Sequence, residues 1–286
     1  MNIKKVLARS EQYLARYNVE QPRLDAEVLL ADLLEMERIK LYVNYDYPLS
    51  QKELGRYRER ITRRARRIPV AHITGSKEFM SLELEVNPEV LLPRPETELL
   101  VEEVLDYCNG GGPPKPNIVD VGTGSGAIMV SLGYYLEKAR ILGIDIAPAA
   151  VSTARRNIAR YDLGERLKVV KGDLLQPLIT RNKDNVDIVA ANPPYIREEN
   201  LDKLQPEVRR EPRQALDGGP EGLQVYRKLI PQAKQVLKEG GLLVMEFGEK
   251  QAPALKQLLS GWQRITIKKD HAGKDRIICA HRGARE

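Results

Sequence analysis

Over residues 1–72 the apolar side chains recur at helical spacing, which predicts a small bundle of helices. Leu7, Leu14 and Tyr17 mark one apolar stripe. Leu24, Val28, Ala31 and Leu34 mark a second, on a helix that Pro22 can open because its missing N–H falls in the first turn. Ser50-Gln-Lys-Glu53 has the form of a capping box, in which Ser and Glu satisfy each other's exposed backbone donors. It starts a helix whose apolar positions are Leu54, Tyr57, Ile61, Ala65 and Ile68. The period then changes. Ser81–Asn87 alternates apolar and polar residues, so residues 73–94 are predicted as a short β ribbon linking two domains.

The second domain is expected to span residues 95–286. Pro95 begins a helix with its body over Glu96–Leu105, and the Gly/Pro-rich stretch 110–116 is a loop. From Asn117 onward, short apolar runs at 118–121, 141–144, 167–170, 186–190 and 242–245 are separated by helical patterns. Such alternation predicts an α/β fold with a doubly wound, mostly parallel sheet and right-handed crossovers. The runs 263–269 and 275–280 lie too close together to hold a helix between them. They predict an antiparallel hairpin at one end of the sheet, a finish more usual in methyltransferases than in dehydrogenases.

Composition narrows the setting. The 286 residues are 42% hydrophobic and 30% charged, as in a soluble globular protein. No run approaches the roughly 20 apolar residues of a membrane helix, and the first residues lack the apolar core of a signal peptide. Two cysteines and three histidines, without ligand spacing, argue against a metal site. The expectation is a cytoplasmic protein with no membrane and no metal partner. A net charge of +6 favours an anionic partner. The segment 56–67 alone carries seven arginines, which form either a solvated helix face or a docking face for RNA or an acidic protein.

The predicted strand 118–121 runs into Gly122-Thr123-Gly124-Ser125-Gly126. Alternate glycines let the backbone turn sharply and approach a ligand where a side chain would collide. The spacing is G-x-G-x-G, whereas a dinucleotide pyrophosphate calls for G-x-G-x-x-G. Asp145 ends the next strand, where a carboxylate can accept two ribose hydroxyls. Asp120, Gly122, Gly124, Gly126 and Asp145 together resemble the first two motifs of class I methyltransferases, which implies S-adenosylmethionine as the cofactor. The resemblance also implies that Thr123 and Ser125 bind the cofactor with the glycines, that Asp173 holds the adenine amine, and that Ile146 and Leu174 wall the base. Relatives often carry an aromatic residue where Leu174 stands.

The fourth strand ends in Asn192-Pro193-Pro194-Tyr195. Asn192 and Pro193 each precede a proline and are therefore pushed to extended dihedrals, which fixes their carbonyl directions. Beside a methyl-donor site, the Asn192 side-chain oxygen and the Pro193 carbonyl form acceptors suited to the two hydrogens of an NH₂ group. Tyr195 offers a flat face for a planar acceptor. An amide nitrogen is a weak nucleophile because its lone pair is conjugated, so alignment would be the main contribution of Asn192, Pro193 and Tyr195. The same tetrapeptide suits exocyclic amines of nucleic-acid bases.

The segments Leu91–Glu98, Gly122–Gly126, Asn192–Ile196 and Glu211–Gly222 together resemble the release factor glutamine methyltransferases, over nearly the whole chain. A sister family that methylates a ribosomal-protein glutamine shares the Asn-Pro-Pro-Tyr but is less similar around Arg94–Glu98. The resemblance implies methylation of N5 of the glutamine in the Gly-Gly-Gln tripeptide of peptide chain release factors. Asn192–Tyr195 would hold the amide, with Asn192 also beside the cofactor, and Arg94, Glu96 and Thr97 would bind substrate in the cleft between the domains. The helical domain would recognise the release factor. The competing expectation is methylation of amino groups in RNA or DNA, which the basic charge permits and the paucity of Phe and Trp opposes. The polar stretch 197–220 is expected to be a lid over the acceptor, and Glu246, ending the fifth strand, is expected near the cofactor edge without a role of its own.

Overall fold

The computed structural model describes residues 1–181 and 185–284. The chain forms two compact units, one of Met1–Ser76 with Gln205–Arg210, the other of Lys77–Leu204 with Glu211–Glu286. The expected boundary at residue 72 therefore falls at Ser76, and a later segment returns to the first unit.

The N-terminal unit is helical: α1 (Ile3–Arg16), α2 (Pro22–Leu33), α3 (Arg38–Val43), α4 (Gln51–Ala65) and α5 (Val70–Thr74). Ser50 and Glu53 close the expected capping box, and Pro22 opens α2. Ile3, Leu7, Leu14, Leu29, Leu30, Tyr57 and Ile61 form its core. Two expectations shift. Tyr17 is exposed past the end of α1, and α2 buries Ala26, Leu29, Leu30 and Leu33 together with Ala31, while Leu24, Val28 and Leu34 of the expected stripe are only half-buried. Apolar residues run almost all the way round α2, so periodicity alone could not choose its face.

The arginine-rich helix is less solvated than its composition suggests. Arg64 is 6% exposed and bonds Asp25 at 2.6 Å and Glu207 at 2.8 Å. Arg67 forks onto Glu207 at 2.6 and 2.8 Å and also donates to the Asn18 carbonyl. Arg60 pairs with Asp32, and Arg63 donates to the His72 carbonyl. Arg56, Arg58 and Arg66 are exposed. Burial works against the Glu207 carboxylate, yet the guanidiniums of Arg67 and Arg64 hold its pKa below the ordinary value.

In the C-terminal unit, β1 (Ser76–Phe79) and β2 (Leu82–Glu85) form the ribbon, joined at Met80–Ser81, where φ is +50° and +58°. Phe79, Leu82 and Leu84 are part of this unit's core, so the ribbon is built into the unit and is no free linker. Then follow α6 (Pro95–Asn109), β3 (Asn117–Val121), α7 (Ala127–Tyr135), β4 (Arg140–Asp145), α8 (Pro148–Arg160), β5 (Leu167–Lys171), α9 (Gln176–Ile179), β6 (Val186–Ala191), α10 (Gln224–Val236), β7 (Leu237–Glu246), α11 (Ala252–Leu258), β8 (Gln263–Lys269) and β9 (Asp275–His281). The seven-stranded sheet has the order β5-β4-β3-β6-β7-β9-β8. Five strands run parallel, and the terminal hairpin inserts β9 antiparallel beside β7, as the sequence predicts. The 197–220 stretch holds three short 3₁₀ helices, at 198–203, 208–210 and 213–215.

Residues alternate between two cores. Ile118, Ile188, Ala190, Leu242 and Val244 face α6, α7 and α8, while Val119, Val121, Val189, Ala191, Leu243 and Met245 face α9, α10 and α11. This register fixes the site. Ile144, Val121, Ala191 and Met245 stand abreast on neighbouring strands. The next residue on each is Asp145, Gly122, Asn192 and Glu246, which form one row along the carboxyl edge, where open α/β sheets bind ligands.

Candidate active site

Gly122, Gly124 and Gly126 all take positive φ, at +72°, +57° and +85°. An L side chain is strained at such angles, which explains the alternate glycines. The Gly122 N–H donates to the Ile144 carbonyl at 2.8 Å, pinning the turn to β4. A Cβ at Gly126 would stand 3.1 Å from Ala154 Cβ, so this glycine also lets α8 approach. Asn157 of α8 donates to the Ser125 carbonyl at 2.8 Å and to the Glu85 carbonyl at 2.9 Å, tying the turn to the ribbon.

Asp145 organises the turn as well as facing the cavity. Its Oδ2 accepts the Gly124 N–H and its Oδ1 the Ala147 N–H, each at 2.9 Å. Each oxygen keeps lone-pair capacity for a further donor. Burial pushes its pKa up, against those backbone bonds. Asp120 lies deeper, fully buried. Its Oδ2 accepts the Thr123 hydroxyl at 2.5 Å and the Met129 N–H at 3.3 Å, and burial pushes its pKa up to about 7. Among the described residues Oδ1 has no hydrogen-bond partner.

Gly122, Gly124, Asp145, Ile146, Asp173, Leu174, Asn192 and Pro194 line one cavity of about 330 Å³, all from the C-terminal unit. That volume is in the range of small-molecule sites. Asp120, Thr123 and Ser125 do not line it: their side chains are buried beneath the turn, so of the three only the turn's backbone can approach a ligand. Pro193 is buried, and Tyr195 is half-buried with a Cβ at Gly248 leaving only 2.9 Å to its ring.

The tetrapeptide Asn192–Tyr195 is held from behind. Thr97, in the first turn of α6 and 4% exposed, donates its hydroxyl to Glu246 Oε2 at 2.6 Å. Asn192 Nδ2 donates to Thr97 Oγ1 at 3.0 Å, which leaves Oδ1 as the side chain's acceptor. The Tyr195 hydroxyl donates to Glu246 Oε1 at 3.3 Å. Burial pushes Glu246 up to about 7, and Tyr195 is raised for the same reason, with Glu246 adding to it. Gln251 clamps the far end, with Nε2 donating to the Tyr195 carbonyl at 3.1 Å and the Gly222 carbonyl at 3.0 Å.

Comparison with known proteins identifies this architecture. Residues 5–75 match the PrmC N-terminal domain, and residues 114–274 match a methyltransferase domain. The chain is 41% identical over 288 residues to the release factor glutamine methyltransferase of Moorella thermoacetica, covering 99% of each chain. It is 40% identical to that of Geobacter sulfurreducens, over 96% of this chain and 95% of the other. The chain belongs to the release factor glutamine methyltransferase family. In fold it resembles a methyltransferase from Pyrococcus furiosus, with a TM-score of 0.54, 18% identity, and coverage of 78% of this chain and 99% of the other.

Within this family member, the residues expected at the cofactor and acceptor sites divide into two groups. Those at the carboxyl edge meet at the cavity. Arg94, Glu96 and Thr97 do not act as one lining. Arg94 pairs with the buried Glu211, whose other oxygen accepts the Leu92 N–H at 2.9 Å. Glu96 is exposed, and Thr97 is buried behind Asn192. Sequence reasoning missed Glu89, Val90, Leu91, Gln214, Asp217 and Lys228 on the cavity wall, along with Asn157, Gln251 and the partners of Glu246. Glu246 stands at the end of the fifth strand, as expected from the sequence, one residue past the strand row that continues into Gly122 and Asn192. No helix among the described residues is long and apolar enough to cross a membrane.

Proposed function

We propose that the protein transfers a methyl group from S-adenosylmethionine to N5 of the glutamine in the Gly-Gly-Gln segment of peptide chain release factors, in the cytoplasm. The observation that carries this reading is the shared cavity: the glycine turn and Asp145 line it together with Asn192 and Pro194. When bound, the cofactor supplies an electrophilic methyl on a sulfonium. Asp145 has the free lone pairs for its ribose hydroxyls, Asp173 for its amine, and Ile146 and Leu174 the apolar surface for its base. The alternating positive φ of Gly122, Gly124 and Gly126 suits the close approach of a ligand to backbone.

On the acceptor side, Asn192 Oδ1 and the Pro193 carbonyl would take the two amide hydrogens. Accepting both draws electron density toward nitrogen and fixes its direction, so the chain works by alignment and electrostatics. Asn192 and Pro193 would hold the nitrogen in line with the methyl group that the cofactor supplies, the thioether would be the leaving group, and the proton released from nitrogen would pass to water. Residues 1–72 would recognise the release factor. To test the reading, the enzyme is incubated with labelled methyl donor, purified release factor and total RNA. Label on the glutamine of the release factor is expected; label on RNA alone would replace this function with base methylation.

A further inference from the structure

Glu246 is buried at the end of β7, belongs to the same row as Asn192, and bonds to both ends of the acceptor tetrapeptide through Thr97 and Tyr195. A side-chain amide has two nearly isosteric orientations, which differ in whether an acceptor or a donor faces the substrate. Only one suits an incoming NH₂ group. If Asn192 turned its own NH₂ outward, two donors would face each other and the substrate amide would lose a partner.

The local bonds choose between the orientations. A carboxylate only accepts, so the Thr97 hydroxyl hydrogen must point to Glu246 Oε2. Thr97 Oγ1 then has only lone pairs to offer, and Asn192 must present Nδ2–H to it. Oδ1 is thereby turned away from Thr97. We propose that Glu246 and Thr97 are positioning residues that lock Asn192 with its oxygen toward the substrate amide, while Glu246 also fixes Tyr195. This rests on the reading of Asn192 as the holder of the substrate nitrogen.

Protonation of Glu246 removes the bias. The acid can donate to Thr97 Oγ1, whose own hydrogen is then free to turn and donate to Oδ1 of a flipped Asn192. The groups facing Glu246 are Thr97 and Glu96 from α6, Tyr195, Tyr226 from α10 and Arg276 from β9. Arg276 is itself paired with Asp270 and favours the ionised carboxylate, while burial and Glu96 oppose it. The balance holds Glu246 near about 7, so the lock opens as pH falls through neutrality.

The test measures kcat, KM for release factor and calorimetric cofactor affinity in Asn192→Ala, Thr97→Val, Thr97→Ser and Glu246→Gln. Thr97→Val is expected to lower kcat about 10- to 100-fold, the scale of a slight misplacement of reacting groups, with cofactor affinity unchanged. Thr97→Ser, which keeps the hydroxyl, should recover most of kcat. Glu246→Gln is nearly isosteric and should fold even if Thr97→Val does not. It should lower kcat above neutrality and flatten the fall in kcat that the parent shows below about pH 7. A parental kcat in Thr97→Val, or a pH profile of Glu246→Gln superimposable on the parent's, overturns the lock. If Asn192→Ala itself turns over at the parental rate, the reading of Asn192 fails, and the lock fails with it.

Discussion

Asp145 has two jobs at once. Its oxygens hold the Gly124 and Ala147 N–H groups, and their remaining lone pairs face the cavity. Removing the carboxylate therefore costs the ligand hydrogen bonds and also frees the turn that the ligand must approach. Charge-assisted hydrogen bonds contribute about 1.5–3 kcal/mol each, so Asp145→Ala is expected to weaken cofactor binding by roughly 3 kcal/mol, about 10²-fold in Kd. Calorimetry showing undiminished affinity would remove Asp145 from the binding site. Residue identity singled this position out, as an aspartate ending the strand that follows the glycine turn, and the structure places it on the cavity wall. Thr97 was legible only as a residue near the site. Its burial and its bond to Asn192 depend on how α6 lies across the end of β7, and no local pattern encodes that crossing.

At the scale of elements, the helix α4 shows how composition misleads. Its arginines look like one basic surface, yet Arg60, Arg63, Arg64 and Arg67 are spent on Asp32, the His72 carbonyl, Asp25, Glu207 and the Asn18 carbonyl. The partners come from α2, from α5, from the turn after α1 and from the distant segment 205–210, so spacing within α4 could not reveal them. Breaking a buried pair leaves a charge uncompensated. Arg64→Ala is therefore expected to destabilise the N-terminal unit by roughly 3 kcal/mol in denaturant unfolding. Arg58→Glu, on the exposed face, should stay within about 0.5 kcal/mol of the parent. Equal stability in both variants would show that the Arg64 pairs contribute nothing. The parallel strands β3 to β6, by contrast, were readable to within a residue at either end, because parallel strands buried on both faces are continuous apolar runs between helical patterns. Strand β7 begins at Leu237, ahead of its apolar run.

At the scale of the whole molecule, every residue lining the cavity belongs to the C-terminal unit. A single glutamine side chain offers little surface, so choosing one in one protein requires binding energy remote from the reacting nitrogen, and that energy is what positions a weak nucleophile. The N-terminal unit is the part of the chain not already committed to the cavity. Its exposed Arg56, Arg58 and Arg66 suit an acidic partner. Deleting Met1–Ser76 is expected to leave cofactor affinity near the parental value while kcat/KM toward intact release factor falls about 10²-fold or more. Toward a short peptide carrying Gly-Gly-Gln, which cannot use the remote contacts, the two enzymes should be nearly equal. The segment Gln205–Arg210 loses its own unit in that deletion, so unfolding of the truncated protein is followed alongside turnover. Charge reversal at Arg56, Arg58 and Arg66 in the full chain avoids that problem. It should slow association with release factor, by an amount that fades as salt is raised. If the truncated enzyme methylates intact release factor as well as the parent, and the reversal changes no rate at low salt, the N-terminal unit has no part in recognition.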